Sequence, residues 1–484
     1  MSGARPLRIV LALAAATASS ACGSLDYAHL AHHVLATDAN GRIVDLRTGE
    51  ALGPGKPIDQ LISNLLQEAH EGATACAARA GIGARRELLI HIHGGMNAAQ
   101  DSLGSAQDAL QRMEQDPQAP HPIFITWPSG ALSTYSDHLL EIRQGQRWPQ
   151  AMGWASAPLV LVSDVASSVA AAPVTLLYQW LLDLRVASKV AFDWNLDRAT
   201  ADEEALWKVA RDAGYHVRRG GYSRGAWAQF GRFVSYWLSQ PPKIVFQILF
   251  LNGLGQGAWE VMLHRTRSMF HGPDEYALSS ERRAEPAALR AHVEDKKARL
   301  HAFFDRLARE TCAAEPGGKP CWDITLVGHS MGAIVINDVL TTYPELPIKN
   351  IVYMAPACSV RDAQKMVVPY LRRHQGTRFF LLTLHPTAEA DEKFSMLPWY
   401  DLVPRGSLLE WIDNWYTTPA SHADRTLGKW LNVIPAIHVF ADVRARVFLK
   451  SFTVGGEPAP ERHGDFNDFA FWTPAFWWDE GTVR

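Results

Sequence analysis

The chain has 484 residues, which is long enough for one large domain with insertions or for two domains. Apolar residues make up 47% of it, so it can bury a sizeable core without disulfide staples. Its 47 basic and 50 acidic residues give a formal net charge of -3. This balance argues against nucleic acid or another polyanion as a partner.

The N-terminus is typical of an export signal. Two arginines precede an apolar run, residues 9–18, that is too short to span a bilayer. Small residues then lead to Cys22. This pattern resembles the signal of bacterial lipoproteins, in which the cysteine is lipidated, although Ser19 stands where such signals usually carry Leu. We expect residues 1–21 to be a signal peptide and the chain to be periplasmic or anchored in the outer membrane. Lipidation of Cys22, with the membrane association it brings, and ordinary cleavage remain alternatives.

Four further cysteines bear on the predicted covalent structure. Cys312 and Cys321 bracket a stretch rich in turn formers, and exported proteins can keep disulfides. We therefore predict a Cys312–Cys321 disulfide. Nothing local brings Cys76 and Cys358 together, so we predict buried free thiols at both positions.

The first part of the chain predicts a parallel α/β sheet. Residues 22–85 form a lead-in. A buried strand then ends at Gly94-Gly95, as a strand does when it leaves a parallel sheet through a tight turn. A helix and a second strand follow, which is the order of a parallel sheet. The predicted elements are a strand–turn–strand near 38–42, a helix at 59–80, a strand at 87–93, a helix at 98–114 and a strand at 122–127.

Residues 128–321 have mostly helical periodicity and predict a cap inserted into the sheet domain. Within them, residues 157–184 are strongly apolar. They would shape an acyl pocket, touch a membrane, or form a plain buried cap helix. Asp164 lies in this run and would be costly in lipid. Residues 215–220 are too basic for a buried parallel strand.

The sheet pattern resumes at residue 322, so residues 86–127 and 322–475 together form the predicted core. Its predicted elements are strands at 322–327, 348–354, 378–384 and 447–452, with a helix at 332–340 and another before residue 378.

Ser330 is the predicted nucleophile. It lies in Gly328-His329-Ser330-Met331-Gly332, between an apolar strand and a helix, and this turn exposes a serine above a sheet edge. A rival elbow, Gly221-Tyr222-Ser223-Arg224-Gly225, lacks a buried strand before it, so Ser223 is the weaker candidate.

The backbone amides of Met331 and of Gly95, in the turn after the early strand, are predicted to form the oxyanion hole. His91 and His93 share a face of that strand. Metal binding is the alternative for the pair, but no clear third ligand accompanies them, so we predict no metal and no cofactor.

His463 follows the last strand and is the predicted base. His374, His385, His422 and His438 are the other downstream histidines and are predicted to be structural. The acid should follow the strand that ends at Leu384, where Glu389 is slightly better placed than Asp391. Later options are Asp401, Asp413 and Asp424.

Together these residues resemble the α/β-hydrolase superfamily over residues 86–127 and 322–475. The resemblance implies an eight-stranded, mostly parallel sheet with helices on both faces, and hydrolysis through an acyl-enzyme on Ser330. Met96 departs from the third glycine of many lipases and esterases. We expect an exported hydrolase of small-molecule or lipid carboxylic esters. An acyltransferase with the same triad and a non-catalytic envelope lipoprotein are the alternatives.

Overall fold

The computed structural model describes residues 25–80, 86–143, 146–192, 201–222, 231, 234, 238, 244, 252–272, 295–312, 322–392 and 405–478. The signal with Cys22, the rival Ser223, Cys321 of the predicted disulfide, and Asp401 lie outside the described residues and stay predictions. Cys358 is described, and it is a buried free thiol.

An eight-stranded sheet forms the centre of the α/β fold, and its seven strand pairings are all parallel. The strand order is β1-β3-β2-β7-β8-β9-β10-β6, and β4 and β5 form a separate hairpin. The strands are β1 (Val34–Ala36), β2 (Arg86–Ile92), β3 (His121–Thr126), β4 (Ile142–Arg143), β5 (Gln146–Arg147), β6 (His216–Arg218), β7 (Trp322–His329), β8 (Ile348–Met354), β9 (Arg378–Thr383) and β10 (Val447–Ser451).

Helices connect and flank these strands. The α-helices are α1 (Tyr27–Leu30), α2 (Lys56–Ala80), α3 (Ala99–Glu114), α4 (Ala131–Leu140), α5 (Gln150–Phe192), α6 (Ala201–Asp212), α7 (Gly255–Ser268), α8 (Leu300–Cys312), α9 (Gly332–Thr342), α10 (Val360–Asp362), α11 (Val368–Arg373), α12 (Pro386–Asp391), α13 (Leu408–Trp411), α14 (Trp430–Val433) and α15 (Pro474–Trp477). Residues 363–367 and 412–416 are π-helical, and residues 422–424, 437–446 and 465–468 are 3-10 helices.

The two edge strands of the sheet come from residues outside the predicted core. The six inner strands were predicted from the sequence, but β1 comes from the lead-in and β6 comes from the segment predicted as a cap. The basic residues around β6 are tolerated because it is an edge strand with partly exposed side chains. His216 stacks on Phe448 with ring centroids 4.4 Å apart, and Arg218 lies over the Trp478 ring.

The connections reverse direction at the centre of the sheet. The chain leaves β2 toward β3 on one side, whereas it leaves β7 toward β8 on the other, and β2 and β7 are neighbours. Ile92 and Gly328 pair directly, so the two strands end at the same level. Open α/β sheets bind ligands in the crevice at such a switch point, beyond the carboxyl ends of the strands. Gly94-Gly95 and Ser330 both lie at this crevice.

Candidate active site

Ser330 lies in a left-handed turn between β7 and α9, with φ of 52°. Two glycines make this turn compatible with tight packing. A Cβ on Gly328 would lie 2.8 Å from the Ala333 nitrogen, and one on Gly332 would lie 2.1 Å from the Ile92 carbonyl oxygen. The glycines of the Gly-x-Ser-x-Gly motif therefore let α9 fold back on its own strand and touch the end of β2.

Backbone strain is concentrated around this serine. Among the described residues, the non-glycine positions with positive φ are Met96, Ser330 and Ala355. All three follow the carboxyl ends of adjacent strands. The Ser330 amide donates to the Met354 carbonyl at 2.9 Å, and the Ser330 carbonyl accepts from the Ala357 amide at 2.9 Å. Strained residues of this kind persist only where the surrounding structure holds them, and they cluster at functional sites.

The Gly94-Gly95 turn packs directly on the serine. A Cβ on Gly94 would lie 2.8 Å from the Ser330 Cβ, and one on Gly95 would lie 2.6 Å from the Met331 sulfur. The Gly94 carbonyl accepts from Nδ1 of His93 at 2.6 Å and from the Ser129 hydroxyl at 3.4 Å. Because a trans peptide holds its N–H opposite its carbonyl, these bonds fix the direction of the Gly95 amide. Gly95 and Met331, the predicted oxyanion residues, are thus brought together.

His93 is held by the protein on both ring nitrogens. Its Nδ1 donates to the Gly94 carbonyl, and its Nε2 accepts from the Trp127 amide at 2.9 Å. Burial lowers the pKa of His93 to about 4, so the ring is neutral. A neutral imidazole engaged at both nitrogens has no lone pair left for a metal. His93 shapes the turn.

Two hydrogen bonds of its backbone hold His463 at the site. Its carbonyl accepts from Nε2 of His329 at 2.7 Å, and its amide donates to Oε2 of Glu392 at 2.9 Å. The His329 and His463 ring centroids lie 5.1 Å apart. His463 is therefore fixed beside the residue that precedes Ser330, at the end of the loop that follows β10.

A chain of hydrogen bonds supports this position. Because Nε2 of His329 faces a carbonyl, it carries the ring proton, which leaves Nδ1 as an acceptor. The Asn467 amide nitrogen lies 3.5 Å from that Nδ1, and the Asn467 oxygen lies 3.2 Å from Nε2 of His91. Burial lowers the pKa of His329 to about 4 and that of His91 to about 3, so both rings are neutral, as this bonding requires.

Glu389 is the predicted acid, and it lies on α12, directly after β9. Its Oε1 accepts from the Ser407 hydroxyl, whereas its buried Oε2 has no hydrogen-bond partner. The described alternatives are engaged elsewhere. Asp391 forms a buried ion pair with Arg405 at 2.8 Å, Asp413 accepts from Asn432 and Thr426, and Asp424 pairs with Arg361.

Glu392 was missed by the sequence reasoning. It is buried, and it holds the His463 amide. Burial, reinforced by the nearby Glu389, keeps the pKa of its carboxyl well above the usual range. Its spacing of three from Glu389, on a helical turn, was the signal that could have found it. Asn467 offered no such signal, because an amide side chain after His463 is unremarkable in sequence.

Three of the four other downstream histidines have structural contacts. His374 lies 2.7 Å from the Pro344 carbonyl, and His422 lies 2.7 Å from the Asn432 carbonyl. His385 caps α12 by accepting from the Thr387 amide at 3.1 Å. His438 is exposed on a 3-10 helix.

The three proposed catalytic side chains are buried with unpaired ends. Ser330 is 1% exposed and His463 is 6% exposed. The Ser330 hydroxyl, both ring nitrogens of His463 and Oε2 of Glu389 have no hydrogen-bond partner, so these residues do not bond one another directly. Burial, with His329 nearby, holds the pKa of His463 well below its usual range. Burial raises the pKa of Glu389 to about 8. Buried unpaired polar atoms are costly, which is typical of groups kept for chemistry.

No family model, no curated protein and no solved structure matches this chain. Its function is therefore inferred from the residues and the geometry of the site.

Proposed function

We propose that the chain is a serine hydrolase of the α/β-hydrolase type that cleaves carboxylic esters through an acyl-enzyme on Ser330. The observation that carries the proposal is the strained turn of Ser330 at the switch point of a parallel sheet, with the Gly94-Gly95 turn packed on it. The loops after β9 and β10 supply Glu389 and His463, in the order in which such enzymes supply acid and base.

The first half-reaction needs a base and an oxyanion hole. The Ser330 oxygen attacks the ester carbonyl carbon while its proton passes to His463, which is neutral because burial depresses its pKa. The amides of Met331 and Gly95 donate to the oxyanion that forms. The resulting tetrahedral intermediate then collapses, which breaks the ester bond, and His463 gives its proton to the departing alcohol.

The second half-reaction frees the acid product. Water attacks the acyl carbon, His463 takes the proton of the water, and the intermediate expels the Ser330 oxygen, which recovers its proton from His463. Glu389 orients His463 and offsets the charge of its imidazolium. In this proposal an imidazolium on His463 favours the ionised form of the Glu389 carboxyl, whose pKa burial otherwise raises to about 8.

Acyl transfer is the second candidate, and the burial of the site favours it. Ser330 is almost fully covered, and a site that excludes water can pass the acyl group to an alcohol instead. In both cases we propose action in the cell envelope after export. Product analysis with an added alcohol distinguishes the two, because a transferase yields the new ester and a hydrolase yields the free acid.

The test compares Ser330→Ala with Ser223→Ala. We expect Ser330→Ala to abolish labelling by a fluorophosphonate probe and to lower p-nitrophenyl ester turnover by ~10³-fold or more. Ser223→Ala should retain both, which also decides between the two elbows. Full retention in Ser330→Ala would refute the assignment. A wild-type chain that is neither labelled nor active would favour the non-catalytic alternative.

A further inference from the structure

Helix α5 presents an apolar surface outward over most of its length. By length and composition its segment Gln150–Tyr178 could cross a membrane, and 17% of its most apolar window is buried. Leu159 is 74% exposed and Val174 is 71% exposed. These exposures argue against one of the three alternatives for this run, a plain buried cap helix. Other exposed apolar side chains of α5 are Val162, Val169, Leu177 and Leu181.

Three polar side chains of α5, those of Asp164, Ser168 and Thr175, point toward the protein, whereas Ser163 and Ser167 are exposed. Asp164 accepts from the Tyr135 hydroxyl at 2.9 Å, and one of its oxygens lies 3.3 Å from Nε2 of His138. The Ser168 hydroxyl accepts from the Gly253 amide at 2.8 Å. On a helix of 3.6 residues per turn, Asp164, Ser168 and Thr175 fall within about 40° of one another.

The polar stripe of Asp164, Ser168 and Thr175 packs closely on Asn252 and Gly253. A Cβ on Gly253 would lie 2.2 Å from the Asp164 carbonyl oxygen, so only glycine fits there. The Thr175 hydroxyl accepts from the Asn252 amide at 2.9 Å. Small residues at the contact and hydroxyl or amide bonds across it are how helices associate within lipid. Helix α5 thus buries a polar stripe and exposes its large apolar side chains, with two serines among them, whereas a soluble amphipathic helix buries its apolar side.

The extent of the outward surface favours lipid over a protein partner. Asp164 is the only charged residue between positions 150 and 182. The exposed side chains from Trp154 to Tyr178 fan over roughly 240° of the helix circumference. A second copy packed on one side would leave the rest in water, whereas lipid covers every outward direction. Trp154 and Trp180 are exposed near the two ends, and indoles favour the boundary between lipid and water.

We propose that the outward face of α5 docks the protein on a lipid bilayer, independently of any lipid on Cys22. The C-terminal part of this face is a direct neighbour of the candidate site. Helix α5 contacts α12, which carries Glu389. The Tyr178 hydroxyl donates to Asn414 at 3.2 Å, and its ring packs edge-on against Trp415.

Vesicle flotation tests the proposal. Every variant of the full chain carries Cys22→Ser, so no acyl anchor contributes. We expect this parent to float with vesicles of phosphatidylethanolamine and phosphatidylglycerol at 3:1. Replacing Leu159, Val162, Val174 and Leu177 with Gln should lower the partition coefficient on the order of 100-fold. The control Val209→Gln/Leu431→Gln alters exposed apolar residues on other elements and should float like the parent.

Tryptophan quenching gives a second measurement that does not depend on the fourfold variant folding. Vesicles with brominated acyl chains should quench the emission of the parent, and Trp154→Phe/Trp180→Phe should remove that added quenching. Equal flotation of the parent and the fourfold variant would overturn the proposal. So would a parent that does not float but forms, in lipid-free buffer, a dimer that the fourfold variant abolishes.

Discussion

The carboxyl edge of the sheet and the outer face of α5 both break the usual distribution of polar and apolar groups, in opposite directions. At the edge, the Ser330 hydroxyl and the His463 ring are buried without partners. On α5, Leu159 and Val174 are exposed to solvent, whereas Ser168 is buried and hydrogen-bonded to Gly253. The first arrangement costs stability until a substrate supplies partners. The second costs nothing in the fold itself and creates a surface that water solvates poorly.

The two regions also differ in how firmly they are held. Ser330 is hydrogen-bonded to Met354 at the end of β8 and to Ala357 in the segment that follows, and inner strands flank β7 on both sides. The outward aliphatic side chains of α5, such as Leu159 and Val174, are mostly exposed, whereas its polar stripe is hydrogen-bonded to the protein. Substitutions at the edge should therefore change both chemistry and stability, whereas outward substitutions on α5 should change neither.

The largest expected effect comes from Glu389→Gln. Ester turnover should fall by about 10²–10⁴-fold, because the imidazolium of His463 loses its counter-charge. The free energy of unfolding, in contrast, should be higher in the variant than in the wild type at high pH. Burial raises the folded-state pKa of Glu389 from an ordinary 4.5 to about 8, so the free energy of unfolding of the wild type falls as pH rises between these values. At pH 9 the variant should be more stable by about 2–5 kcal/mol in urea unfolding.

Glu410→Gln is the matched control for that change. Glu410 is buried, like Glu389, but its Oε2 lies 2.9 Å from Nζ of Lys429. Losing its charge should cost about 3 kcal/mol at pH 9, because Lys429 loses the nearer of its two ion-pair partners and keeps the Asp413 carboxylate at 3.3 Å. Equal destabilisation by both variants would show that Glu389 is ionised and structural.

A smaller effect is expected from Asn467→Leu. This change breaks the hydrogen bonds that join His91 and His329, and so loosens the anchor of His463. We expect kcat for p-nitrophenyl esters to fall by roughly 10–100-fold with KM nearly unchanged, because the base is misplaced while substrate contacts remain.

The control for this positioning role is Asn350→Leu. Asn350 is a buried asparagine on β8 that donates to Thr325 at 3.1 Å. The Asn350→Leu variant should have a lower free energy of unfolding than the wild type but an unchanged kcat. The positioning role would be disproved by equal kcat values in the two variants.

The smallest effect concerns α5 and compares its two faces. Thr175→Val leaves the Asn252 amide without its partner and should cost about 1–2 kcal/mol of unfolding free energy. Leu177→Gln, on the exposed face, should change it by less than about 0.5 kcal/mol. Chemical denaturation of both variants in lipid-free buffer measures the difference. A large loss in Leu177→Gln would mean that its side chain is packed against the protein.

The inner sheet and the tight strand-to-helix turn at Ser330 could be predicted from the sequence because both have short-range signals. A buried strand is a continuous apolar run, and the Ser330 elbow is a local motif with glycines at fixed positions. Strand β6 escaped because an edge strand tolerates His216 and Arg218, which hydropathy excludes from a sheet interior. Glu392 and Asn467 escaped because their roles depend on contacts between segments that are distant in the sequence.

The orientation of α5 could not be predicted from the sequence either. Residues 157–184 have the same composition whether their apolar side faces a core or lipid. Only the contacts of Asp164 and Thr175 reveal which face is inside.

The pairing of Ile92 with Gly328 has a consequence for the timing of folding. The two strands that bring the Gly94-Gly95 turn onto Ser330 are separated by the whole of residues 93–321, and His463 follows later still. Closing so long a loop is slow compared with local helix formation. On the proposed mechanism, a chain whose last strands have not joined the sheet therefore holds Ser330 apart from the proposed oxyanion donors and base. The proposed reactivity would then appear only when the sheet is complete.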